Sequence, residues 1–149
     1  MKLSLKNLLR IGKLAEHTAS SSQVSRMLAS VERSINDAKQ DSISSETRLD
    51  ASYRAIMQLA LIGLWANGYR LRKGIPGHHV IMIQSLPLSF GLEKDQMLVL
   101  DTFRVKRNAA DYTGEDIDEV SVAACTDAAS ALLGHVQKWL LKNRPDLFS

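Results

Sequence analysis

Along most of this chain the apolar residues recur three and four positions apart, the spacing of a helix with one buried side. The first such stretch runs from about Ser4 to Glu16, with Leu5, Leu8, Leu9 and Leu14 on its apolar side. Lys2, Lys6, Arg10 and Lys13 make a basic stripe along the same predicted helix. Serines 20 to 22 offer N-caps for a second helix over roughly Gln23–Gln40, where Val24, Met27, Leu28, Val31 and Ile35 share a face. A third runs from about Glu46 to Asn67, with Leu49, Tyr53, Ile56, Met57, Ala60, Leu61 and Leu64 at helical spacing. Its apolar side widens towards Trp65, which predicts a central position, and Asn67-Gly68 ends it in the left-handed cap geometry.

The loop Arg70–Gly77 sets Arg70, Arg72 and Lys73 beside Gly74, Pro76 and Gly77. A short helix over His78–Ser85 should stop at Leu86-Pro87, because the residue before proline avoids helical geometry. A fifth helix is predicted over Glu93–Tyr112, with Leu98, Val105 and Ala109 towards the core, and Thr113-Gly114 closes it. Asp116 or Asp118 can cap the last, about Glu119–Asn143, whose apolar face carries Val122, Cys125, Ala129, Leu132, Leu133, Val136 and Leu140. Long amphipathic helices with short connections pack against antiparallel neighbours. The expectation is an all-α, antiparallel up-and-down four-helix bundle. Residues 1–42 would add an N-terminal helical extension, and the short helix an extra element, within one 149-residue domain.

Composition narrows the chemistry. Three prolines and eight glycines are too few for a turn-rich β chain. A domain of this length can bury about 68–70% of its unfolded surface, so its core needs no disulfide or metal. The single cysteine, Cys125, excludes an internal disulfide and a cysteine-based zinc site, and its apolar setting reads as a small buried thiol. The net charge of +3 tolerates nucleic acid without demanding it. No apolar run reaches the ~18 residues that span a bilayer, and the basic residues spread through the N-terminus do not make a signal peptide. The expected setting is therefore cytoplasmic, without membrane contact and without a cofactor or metal.

The informative constellation lies on the fifth helix. Arg104, Arg107, Asn108 and Asp111 stand at i, i+3, i+4 and i+7, which puts two guanidinium groups, an amide and a carboxylate on one face. Asp101 extends this stripe by a turn, and Tyr112 adds a phenol at the helix end. Guanidinium groups hold phosphate-like oxyanions in a fixed fork. The same pattern also suits an ion-pair network on a surface or at a subunit seam.

The segment VKRNAADY resembles the signature helix of the HEPN superfamily of small helical bundles. The upstream RLDASYRAIMQLALIGLWANGYR and the following PGHH are similar to the long helix and loop of many prokaryotic members, so the resemblance covers about Glu46–Leu141, a HEPN-like core within residues 46–143. It implies a bundle that commonly dimerises with the signature helices facing across a cleft. It also implies either nucleotide or RNA binding or metal-independent ribonuclease activity, often in toxin–antitoxin or defence pairs with a small nucleotidyltransferase. Carried over by position, Arg107 matches the motif arginine and Asn108 the polar residue after it, while Tyr112 stands where the nuclease pattern has histidine. RNA cleavage through the 2′-hydroxyl benefits from a group titrating near neutrality, whereas free tyrosine titrates near 10. The departure therefore favours a non-catalytic binder using Arg104, Arg107, Asn108 and Asp111. An active ribonuclease using Arg107, Asn108 and Tyr112, or a ligand-free homodimeric interaction module, is the alternative.

His78 and His79 are the remaining candidates for phosphate contact, at the start of the short helix. Adjacent helical positions point to different faces, so they make poor joint metal ligands. Tyr53, Trp65 and Tyr69 fit core positions as well as a base-stacking platform. No phosphate-binding glycine loop, paired-histidine metalloprotease motif or nucleophile elbow occurs.

Overall fold

The computed structural model describes residues 4–148 and is an all-α bundle. Its helices are α1 (Leu5–Arg10), α2 (Ser21–Ala38), α3 (Ser45–Ala66), α4 (His78–Phe90), α5 (Lys94–Thr113) and α6 (Glu119–Asn143). Two three-residue strands, β1 (Leu14–Glu16) and β2 (Tyr69–Leu71), pair antiparallel. No helix among the described residues is long and apolar enough to cross a membrane.

Local chemistry sets most boundaries. Ser20, Ser44 and Asp118 accept the backbone N–H three residues on and so begin α2, α3 and α6. Glu93 and Gln96 form a capping box at α5. Gly91 and Gly114, both at positive φ, end α4 and α5.

The bundle is built around α3, in which Leu49, Tyr53, Ile56, Leu59, Ile62 and Leu64 are buried. Antiparallel to α3, α2 packs through Val24, Val31 and Ile35, with Gln58 Nε2 donating to Ser30 Oγ at 2.9 Å. Residues 21–38 thus form one layer of the bundle. α6 runs in the same direction as α3. Arg48 meets Glu119 at 2.8 Å near their starts, and Arg144 Nη1 donates to the Ala66 carbonyl at 2.6 Å near their ends. α5 is antiparallel to both, completing the up-and-down pattern.

Three expectations are corrected. The first predicted helix stops at Arg10, where Gly12 at φ 83 turns the chain into β1. Leu14 then pairs with Leu71 and is buried against Leu8 and Leu64. Lys2 lies outside the described residues.

Pro87 does not stop α4, which continues to Phe90. An internal proline costs roughly 3 kcal/mol. The extra turn buries Leu86, Ser89 and Phe90, and each large apolar side chain contributes about 1.5–3 kcal/mol. Phe90 also stacks edge-on with Trp139 at 5.2 Å.

α5 is turned from its expected orientation. Leu98 and Val105 are 53% and 54% exposed, and Ala109 is only half-buried, while Leu100 and Phe103 face the core. Both apolar stripes exist in the sequence, and the one carrying the aromatic ring is buried.

Candidate anion-binding site

The turn of α5 sets its guanidinium groups against α3 and the start of α4. Gly77, at φ 69, leads into α4, and the loop ahead of it carries the chain back along α3. His79 therefore arrives beside Tyr53, near the middle of α3, while Ser89 at the other end of α4 accepts from Asn67. α4 thus runs in the same direction as α3.

Arg107 Nε donates to Asp50 Oδ1 at 3.0 Å, and its guanidinium lies over the Tyr53 ring at 5.2 Å from the centroid. A cation on an aromatic face is attracted by the ring quadrupole. Its side chain remains 30% exposed, so it is held in place without being closed off. One turn back, Arg104 is gripped by both carboxylate oxygens of Asp101, at 2.7 and 3.3 Å. Tyr53 is 2% exposed, and its hydroxyl meets His79 Nδ1 at 3.0 Å. The His78 and His79 rings stand edge to face, 4.5 Å apart.

The electrostatics favour the neutral form of both partners. Burial pushes the Tyr53 phenol up to about 12, despite the opposing pull of Arg107 and Arg104, so it stays protonated at neutral pH. Burial lowers the His79 pKa, helped by His78, Arg107 and Arg104, so its imidazole is neutral. The buried phenol has no other hydrogen-bond partner among the described residues, so its O–H donates to Nδ1. The remaining imidazole proton then sits on Nε2. The cluster offers two guanidinium groups and one neutral N–H donor, groups whose chemistry suits an oxyanion.

The other sequence candidates are placed differently. Asn108 is half-buried and Asp111 exposed, and neither side chain makes a hydrogen bond among the described residues. Asp111 borders a dent with Glu46, Leu49, Asp50 and Arg107 that holds about 10 Å³. That is room for about one water, so a nucleotide would lie on the open surface. Tyr112 is 86% exposed and is not brought to Arg107. Five residues turn a helix by about 140° past full circle. His78 is exposed at the rim.

No known protein family, curated protein or solved structure matches the chain. The site must be read from its own geometry. Sequence reasoning missed Asp50 altogether and placed Tyr53 in the core without its second role. The available signal was that a buried tyrosine hydroxyl usually finds a partner, and His79 was among the few residues able to supply one. No group of three or more His, Cys, Asp or Glu among the described residues is placed to hold a metal ion.

Proposed function

We propose that the chain is a HEPN-like protein that binds the phosphate of a nucleotide or RNA through Arg104, Arg107 and His79. The reading is carried by one observation: Arg107 lies on the face of the same tyrosine whose hydroxyl orients His79. An anion received there meets donors that are already fixed, which lowers the ordering cost of binding. Asp50 is the internal competitor for Arg107.

The proposed assembly is a homodimer. Leu98, Thr102, Val105, Ala109 and Tyr112 follow strict alternating steps of four and three, the spacing of a helix–helix seam, and the four of them other than the half-buried Ala109 are exposed. An antiparallel pairing centred on Val105 would match Leu98 with Tyr112 of a second copy, and Arg107, about half a turn away on the side facing α3, would stay clear of that seam. The toxin–antitoxin or defence pairing with a nucleotidyltransferase rests on the family resemblance alone.

Fluorescence anisotropy with a labelled RNA oligomer tests the reading. Affinity should fall with added salt, as counterion release requires, and Arg107→Ala should abolish it. Unchanged, salt-insensitive binding by that variant would reject the site. For the dimer, Val105→Glu should give monomers by sedimentation, and an unaltered profile would reject the seam.

A metal-independent ribonuclease is the second reading, favoured by an imidazole beside Arg107. As oriented here, His79 has its Nδ1 lone pair engaged by Tyr53 and a proton on Nε2. It can steady a phosphate but cannot take the 2′-hydroxyl proton without changing tautomer. RNA left intact by the purified protein in EDTA would eliminate this reading. Cleavage lost in His79→Ala would replace the binder with the enzyme.

A further inference from the structure

Two basic segments that are far apart in sequence, residues 6–13 and 70–73, are joined by the β1–β2 ribbon. Leu14 and Leu71 form the inward pair of the ribbon. Strand side chains alternate between faces, so Lys13, Arg70 and Arg72 share the outer side. Arg72 donates its backbone N–H to Lys13 O, and its guanidinium lies close to the Gly12 turn. Lys6 and Arg10, one turn apart on α1, and Lys73 in the following loop are also exposed. None of the six cations makes a salt bridge among the described residues, whereas Arg48, Arg104, Arg107 and Arg144 all do. The three on the outer side of the ribbon, Lys13, Arg70 and Arg72, are a poor arrangement for stability alone, since like charges repel.

The ribbon lies at the end of α3, against Leu64, and His79 lies beside Tyr53. At 1.5 Å per residue the two stations are roughly 15–20 Å apart along α3. The segment between them, residues 72–77, runs directly from Arg72 and Lys73 to His78 and His79. Stacked phosphates on one strand repeat about every 3.4 Å, so that interval corresponds to roughly five or six of them.

From this placement we infer that the partner of the Arg104–Arg107–His79 site is a single RNA strand several nucleotides long, whose backbone continues over residues 72–77 onto the Lys13, Arg70 and Arg72 face. The inference rests on the phosphate-binding reading above and deepens it from a phosphate to a strand. A mononucleotide would use the first station and leave the ribbon empty.

The test compares a dinucleotide with a ten-nucleotide RNA, both labelled, against the full chain and two variants. The wild type should bind the decamer at least roughly tenfold more tightly than the dinucleotide. The exposed triple variant Arg70→Ala, Arg72→Ala, Lys73→Ala should keep its circular dichroism spectrum and its dinucleotide affinity. It should lose the length dependence, and its salt slope for the decamer should drop by about two, the share of three single-strand phosphate contacts. Equal affinity for the two lengths in the wild type, or a triple variant that keeps the decamer preference, overturns the track while leaving the first site standing. Loss of decamer binding in the triple variant but not in Arg107→Ala overturns the shared track and the site together. Polyglutamate competing as well as RNA would overturn the choice of RNA in favour of an acidic protein partner.

Discussion

Replacing Tyr53 by phenylalanine isolates the contact on which the site's chemistry turns. The ring stays under Arg107, so packing and the cation–aromatic contact persist, and only the hydrogen bond to His79 Nδ1, at 3.0 Å, is removed. A hydrogen bond between neutral partners contributes about 0.5–1.5 kcal/mol. At the middle of that range the preference for the Nε2–H tautomer weakens by roughly fivefold. The same loss lowers the melting temperature of a domain this size by about 2–4 °C. The neutral imidazole also loses a donor that favoured it, so the His79 pKa should rise from its lowered value towards the ordinary one. Long-range proton–nitrogen NMR of the imidazole reads tautomer and pKa together. In the wild type Nδ1 should be the unprotonated nitrogen at neutral pH, and in Tyr53→Phe the two forms should mix. A wild-type spectrum with the proton on Nδ1 would refute the assignment of Tyr53 as donor, and with it the picture of His79 as a fixed outward donor.

Asp50→Asn should strengthen RNA binding by about two- to fivefold in a titration, because a partly exposed pair worth at most about 1 kcal/mol no longer competes for Arg107. Gly63→Ala should lower stability in urea unfolding by about 1–3 kcal/mol, since a Cβ would stand 2.6 Å from Phe90 Cε2 and 2.9 Å from Ser89 Cβ. The lowered His79 pKa makes a pH-dependent contribution to stability. It is fully present above the unfolded value near 6.5 and lost as pH falls through the folded value. His79→Gln should flatten that segment of a melting-temperature profile, and an unchanged profile would remove the histidine from the account.

The helices were largely legible because their ends are written locally. Ser20, Ser44, Asp118, Gly91 and Gly114 each act within a turn of their own position. β1 was not legible, since its partner lies some 55 residues away and leucines at 5, 8, 9 and 14 satisfy a helical period just as well. The orientation of α5 was hidden for a related reason. Leu98 with Val105 and Leu100 with Phe103 are both acceptable apolar stripes, and only the neighbouring helices decide between them. The arginine stripe was visible as spacing on one helix. Its neighbours Asp50, Tyr53 and His79 come from two other helices, so no single periodicity could announce them. Tyr112 was grouped with Arg107 only by its position in a motif, and the helix places it on another face.

The strand at residues 14–16 acts as a strap over the end of α3. Leu14 covers Leu64, and with Leu5 and Leu8 it shields the side of α4 that carries Ile81 and Leu88. A fragment trimmed to begin at α2 would keep every long helix yet uncover this apolar floor and leave β2 with a bare edge, the kind of surface on which chains stick to one another. Residues 5–16 therefore complete the packing of α3 and α4 from well upstream of Arg104 and Arg107.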